Sequence, residues 1–418
     1  MSLLAGYDIV IELSNELVRD LVIANLRLSG AATAFPFAVT IPLKAGLNDT
    51  VVGTFHLNVT AIDVDLQTTR PMMIKLFFEG ASAETATATV CSLDGCIEIP
   101  VYFPDVLTKN NDAFLSLDLS GIEPWRVAFT PASKQYAEEQ LQETTLSYSL
   151  FESISQETLC DFIQKQPLLV VPLGLSVTSK EGAISPLRFY QLEAHGIGPT
   201  EKAQQALGLF GTLLVAHSYE GTPSFKATTA IPAGKQIALS ISADVFHRFV
   251  LCDGVAEVLK CAVRDLPTTC GDGVGHPHSC YSLNSIEANL KDNSIALCGG
   301  FKTDLGDGAF ESEVALRINN GAVISAVKLL DVSVSTALTC RDEPFGQANP
   351  EYHKPLVGAI VAEISQKICE KLGYCAASGF LGETPDQVSV IKDEGISFTW
   401  KHKVKITDLE HTSVGPKS

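Results

Sequence analysis

Long apolar runs are missing from this chain. The longest near-apolar stretch, Leu168 to Leu175, is interrupted by Pro172 and is far too short to cross a bilayer as a helix, so no integral membrane segment is expected. Basic side chains are scarce: 30 of them against 48 acidic ones leave a formal net charge of -18. Such a chain repels phosphate backbones and anionic membrane surfaces, which argues against nucleic acid as a partner.

Catalytic signatures are missing as well. No Gly-x-Ser-x-Gly elbow, His-Glu-x-x-His helix or Gly-x-x-x-x-Gly-Lys phosphate loop occurs, so neither an enzyme activity nor a cofactor is expected. His56, His195, His217 and His247 stand apart in sequence and read as structural or surface residues, while Trp125 and Trp400 read as packing residues. The 11 cysteines are odd in number and scattered, unlike a disulfide framework, and point to a reducing compartment. Asp8 and Glu12 interrupt the first dozen residues, where a signal peptide would be continuously apolar. A cytoplasmic or non-classically exported protein is therefore expected in preference to a secreted one.

What is present is a chain of 418 residues, 46% hydrophobic and 19% charged, long enough for two or three domains with sizeable cores. Two segments resemble each other: DIVIELSNELVRDLVIA from Asp8 and QIALSISADVFHRFVLC from Gln236. Ile9 matches Ile237, Ser14 matches Ser242 and Val22 matches Val250, with Glu16 set against Asp244. Both read as an alternating strand, a serine N-cap, an acid at the positive end of the helix dipole, and an amphipathic helix. The first helix is expected from Asn15 to Leu28 and the second from Ala243.

After each opening the periodicity switches to two, as in half-buried antiparallel strands. In the first half these are Thr54 to Leu66, Pro71 to Glu79, Cys96 to Phe103 and Ala113 to Leu119; in the second, Ser285 to Leu297, Glu311 to Asn319 and Ala322 to Ser335. Turns are expected at Asp304 to Gly308 and Asn319 to Gly321. Each meander gives way to helix: within Lys134 to Gln166 in the first half, and from Leu356 to Leu372 with Gly373 as the stop in the second. Leu168 to Thr178 and Leu207 to Ala216 read as buried strands bridging the halves, and Pro223 to Gly234 as a linker. The expected division is residues 1–221 and 222–418.

This order resembles the tubular lipid-binding (TULIP) superfamily, which includes bactericidal/permeability-increasing protein, lipopolysaccharide-binding protein and TULIP proteins of clostridial neurotoxin gene clusters. KQIALSISADVFHRFVLCDGVAEVLK, Lys235 to Lys260, is similar to the opening of the second barrel in the mammalian members, and GYDIVIELSNELVRDL, Gly6 to Leu21, to the opening of the clostridial ones. The resemblance implies an α+β fold of two pseudosymmetric barrels, each a long helix wrapped in a highly curved antiparallel sheet, with acyl chains held between helix and sheet. It would place Leu17, Leu21, Val22, Ile154, Phe162, Val245, Phe246, Phe249, Ile360, Ile364 and Ile368 in that groove.

The acidic composition departs from endotoxin-binding relatives, so a neutral lipid, a fatty acid or a partner protein is expected in preference to lipopolysaccharide. The competing expectation is dense packing that leaves no groove and makes the fold a scaffold in a larger protein complex. Cys270, His276, His278 and Cys280 carry the chemistry of a zinc site without the spacing of a finger; a plain loop, a Cys270–Cys280 disulfide and a metal site all stay open. Asp304, Asp307 and Glu311 lack calcium-loop spacing and read as a hairpin turn, and the Gly271, Gly273, Gly275 alternation lacks the helix that a dinucleotide site needs.

Overall fold

The computed structural model describes residues 4–28, 37–45, 50–66, 72–86, 89–101, 106–109, 112–117, 126–142, 147–164, 169–176, 189–198, 205–213, 229–252, 254–255, 274–275, 282–303, 306–335, 350–377 and 384–401. The first half runs β1 (Ile9–Ser14), α1 (Asn15–Leu28), β2 (Phe37–Ala45), β3 (Thr50–Asp65), β4 (Met72–Thr85), β5 (Thr89–Val101), β6 (Val106–Lys109), β7 (Asp112–Leu117) and β8 (Arg126–Phe129). Helices α2 (Pro131–Leu141) and α3 (Tyr148–Gln164) follow, then β9 (Leu169–Ser176), β10 (Phe189–Ile197) and β11 (Ala206–Leu213). The second half opens with β12 (Ile237–Ser242) and α4 (Ala243–Val245), which passes into a π-helical turn, Phe246–Leu251. It continues through β13 (Val274–Gly275), β14 (Ser282–Lys291), β15 (Ser294–Thr303), β16 (Gly306–Asn319) and β17 (Ala322–Ser335) to α5 (Pro350–Ala377), β18 (Gln387–Ile391) and β19 (Gly395–Trp400).

The two halves meet in a six-stranded antiparallel sheet ordered β10-β11-β1-β12-β19-β18, three strands from each. Pairing at its centre is symmetric about Ile11 and Leu239, with Ile9 opposite Ile241 and Leu13 opposite Ile237. The flanking hydrogen bonds obey the same symmetry: the Ser14 N–H donates to the Gln236 carbonyl and the Ser242 N–H to the Asp8 carbonyl, each at 2.8 Å. Strands β1, β11, β12 and β19 are buried on both faces: β11 is a nearly continuous apolar run, while β12 and β19 alternate and bury the small polar side chains Ser240, Ser397 and Thr399 as well. One face joins the main apolar core, while Tyr7, Val10, Ile197 and Phe210 form a smaller cluster of their own with Leu4 and Ala206.

Each meander forms a five-stranded sheet, β2-β3-β4-β5-β8 and β13-β14-β15-β16-β17, and β6-β7-β9 make a third small one. Bulges interrupt the registers at Val59, Ala81 and Glu311/Ser312, where a strand bends and twists more strongly. Both large sheets set phenylalanine over cross-strand glycine. A Cβ on Gly95 would lie 2.5 Å from the Phe78 ring, and one on Gly299 would lie 2.5 Å from the ring of Phe310. Only glycine admits that approach, and it lets the inner face close on its aromatics.

Several expectations need correction. No described sheet closes into a barrel; each runs between two edge strands. Ser285 to Leu297 is a hairpin rather than one strand, because Asp292 and Asn293 form a two-residue turn with Asn293 at φ 65°, a conformation asparagine tolerates. The last long helix continues through Gly373 to Ala377, since Leu372 and Cys375 carry its buried face past the glycine. The helical stretch within Lys134 to Gln166 resolves into α2 and α3. The first expected bridging strand, β9, pairs with β7 outside the central sheet.

Candidate functional site

The two openings fix the start of the helices that carry most of the candidate residues. The Ser14 hydroxyl accepts the Leu17 N–H and the Ser242 hydroxyl accepts the Val245 N–H, both at 3.2 Å, so each strand turns into helix through the same serine cap. Asn15 then pins α1 to the meander, its Nδ2 donating to the Val64 carbonyl at 2.8 Å. Glu12, fully buried in β1, holds the segment between the halves by accepting the Thr229 hydroxyl and, at 2.8 Å, the Ala230 N–H.

From these starts α1 packs on β1, β3, β9 and β11, while α5 packs on β16, β17 and the π-helical turn. Helix α3 makes its main sheet contacts with β2 and β8, the two edge strands of the first-half sheet. Leu17, Leu21 and Val22 of α1, Ile154 of α3, Val245 and Phe246 at the second opening, and Ile364 and Ile368 of α5 are all buried in one contiguous apolar cluster. Phe249 and Ile360 pack against that cluster half-buried. Phe162 lies in α3, and its side chain is outside the described residues.

Two features of this interior are absent from the sequence reading. Phe78, Phe129 and Phe151 form an aromatic run, with ring centroids 6.0 and 6.1 Å apart, that joins β4, β8 and α3. In the second half the sheet side is supplied by β17, whose Val327, Leu329 and Val334 face the core yet stay half-buried. Ile360 of α5, which packs on β17, is half-buried as well. The alternation in Ala322 to Ser335 carried the signal for these residues, but only a known partner helix shows which face looks inward.

The two buried thiols of α5 are held in their protonated form. Burial pushes the Cys375 thiol up to about 12, and burial also raises that of Cys369, which hydrogen-bonds Ser325. Thiols held in that form are poor nucleophiles and poor metal ligands. Burial lowers the pKa of His247 on the π-helical turn, against raising influences of Asp244 and Glu287. His56 lies 3.1 Å from the Thr40 hydroxyl, and His195 lies 3.4 Å from Glu193. No group of three or more metal-ligating side chains occurs among the described residues. Cys270, His276, His278, Cys280, Asp304, Gly271, Gly273, His217 and Trp125 lie outside them, while Glu311 is exposed on β16 and Trp400 is buried in β19. No helix among the described residues is long and apolar enough to cross a membrane.

No family model and no curated relative matches the sequence. Solved structures do match. P47 from Clostridium botulinum A2 is similar over 94% of this chain and 97% of its own, with a TM-score of 0.52 at 10% identity. P47 of Clostridium botulinum E1 is similar over 94% and 98%, with a TM-score of 0.51 at 13% identity. Lipopolysaccharide binding protein aligns over 94% and 98% with a TM-score of 0.35 at 12% identity, too loose a likeness to carry an argument. The chain has a TULIP-like fold, similar to that of the clostridial P47 proteins.

Proposed function

We propose that this protein is a non-enzymatic binder of a hydrophobic ligand, a lipid or fatty acid, which it holds between helix and curved sheet. The observation that carries the reading is that Ile360 of α5 and Val327, Leu329 and Val334 of β17, two elements packed on each other, all stay half-buried, which we read as a partly open apolar strip. Core-facing apolar groups left partly open at a sheet edge are where an acyl chain gains contact, at about 0.8 kcal/mol for each methylene removed from water. Two features support a curved sheet: the bulged registers, and the way α3 meets both edges of the first-half sheet. The division into residues 1–221 and 222–418 as two related halves belongs to the same proposal. The symmetric pairing about Ile11 and Leu239 supports it.

A filled-core scaffold is the second reading, and one observation favours it. Leu17, Phe246, Ile364 and Ile368 have 0% exposure, so protein atoms surround them where the first reading needs room for a ligand. A fluorescent fatty acid separates the two. Uptake by the full chain, weakened about tenfold by Ile360→Trp or Val327→Trp, is expected for a binder, since filling the strip removes the contacts of about two methylenes. Ile324→Trp, on the outer face of β17, is expected to leave uptake unchanged. Failure of the wild-type chain to take up the probe overturns the first reading in favour of the scaffold.

A further inference from the structure

Helix α5 buries one stripe completely: Val361, Ile364, Ser365, Ile368 and Leu372 are all 0% exposed. Four of these side chains are apolar. The fifth is a serine whose hydroxyl oxygen is buried and has no hydrogen-bond partner. An unpaired hydroxyl in such a place costs its full desolvation, and alanine would fill the position without that cost, so the oxygen calls for a partner from outside the chain.

The surroundings of Ser365 decide which partner fits. Cys369, one helical turn further along the same side of α5, hydrogen-bonds Ser325 of β17, so Ser365 lies on the side of the helix that faces this strand. Ile360, Val327, Leu329 and Val334 belong to the same two elements. Among the described residues of α5 no charged side chain is buried; Lys367 and Glu370 pair with each other at 2.6 Å and stay partly exposed. A neutral donor among apolar groups suits a neutral acceptor. A carboxylate would bring an unpaired charge into the interior of a chain that already carries -18, and a plain hydrocarbon would leave the hydroxyl as it is. Ser155 of α3 is also 0% exposed with an unpartnered hydroxyl, but it stands one turn from Phe151 in the aromatic run, on a helix that packs on β2 and β8.

We propose that the ligand is a neutral acyl ester whose carbonyl oxygen accepts a hydrogen bond from the Ser365 hydroxyl, with its chain along the strip between α5 and β17. The proposal rests on the reading of this interior as a lipid site and narrows it from lipids and fatty acids to esters. Protein atoms cover Ser365, so the ester reaches it as α5 parts from β17, beginning at the half-buried residues.

The test uses the full chain and the probes methyl hexadecanoate, hexadecanoate and hexadecane, each competing with a fluorescent fatty acid. The methyl ester is expected to bind most tightly. Ser365→Ala is expected to weaken the ester about fivefold to tenfold and to leave hexadecane unchanged. The same variant is expected to keep or raise the unfolding midpoint, since the hydroxyl makes no internal bond, and Ser155→Ala is expected to leave the ester's affinity unchanged. Equal affinity for ester and hexadecane, tighter binding of hexadecanoate, an ester affinity indifferent to Ser365→Ala or equally sensitive to Ser155→Ala, or a clearly lowered midpoint overturns the proposal while lipid binding itself stands. Uptake of neither the fluorescent fatty acid nor any probe overturns both.

Discussion

The two halves begin alike and then diverge. β1 and β12 pair symmetrically, Ser14 and Ser242 cap the following turns with the same geometry, and even the cross-strand bonds to Gln236 and Asp8 correspond. Beyond the caps the first half makes a regular helix of 14 residues, whereas the second passes after three into a π-helical turn that packs against α5. The surfaces diverge as well: the cross-strand row of Asp63, Lys75, Glu98 and Arg126 alternates in sign, whereas that of Glu287, Cys298, Glu311 and Asp331 is acidic. Backbone hydrogen bonding and capping impose the common part on any strand that must turn into helix at this sheet. The specific parts are the interior beside α5 and the outer face of β17, and the proposed ligand site falls in the first of them.

That comparison breaks most visibly in the core. Leu17→Ala and Ile364→Ala each remove a fully buried side chain, and each is expected to cost about 2–5 kcal/mol in chemical denaturation. A smaller loss at Ile364 than at Leu17 would show that the second half adapts more readily around a guest. Next come the caps: Ser14→Ala and Ser242→Ala are expected to cost about 1 kcal/mol each, and near-equal values sharpen the symmetry. The surface rows give smaller effects of opposite sign. Glu98→Lys is expected to lower stability and Glu311→Lys to raise it, each by roughly 0.2–1 kcal/mol, read as a shift in unfolding midpoint.

The remaining prediction concerns Asp8 and its counterpart Gln236, which each keep one buried side-chain oxygen without a hydrogen-bond partner. Burial raises the Asp8 carboxyl above its ordinary pKa, outweighing the Leu213 N–H that one oxygen accepts at 2.8 Å. An acid raised on folding contributes stability that is present below its unfolded pKa and lost as pH rises through the folded value. Asp8→Asn is therefore expected to be more stable than wild type at neutral pH, with the gap closing on acidification. A gap that widens toward acid would contradict this assignment.

Much of this architecture can be read from residue order. The Asn15 to Leu28 helix and the Ala322 to Ser335 strand follow from periodicity and local signals, because caps, turns and alternating burial act over a few residues. Pairing between strands far apart in sequence does not. Nothing in Ile237 to Ser242 says that its neighbour is β1, and nothing in Leu169 to Ser176 says that it leaves the central sheet for β7. Strands β2, β10, β18 and β19 were not among the expected elements, although β19, GISFTW, alternates apolar and polar residues; its alternation is only six residues long. The helix side of the candidate interior was legible as stripes of leucine, isoleucine and phenylalanine. Its sheet side, Val327, Leu329 and Val334, needed the fold to reveal the inward face. The charge rows are tertiary facts throughout, since Asp63 and Arg126 become parts of one row only through register.

The central claim is that the interior accommodates an acyl chain, and native mass spectrometry of the intact, gently purified chain tests it most directly. A population heavier than the polypeptide by the mass of a fatty acid or lipid, released by organic extraction, is expected. A single species at the bare polypeptide mass in repeated preparations, unchanged after incubation with fatty acid, would contradict it.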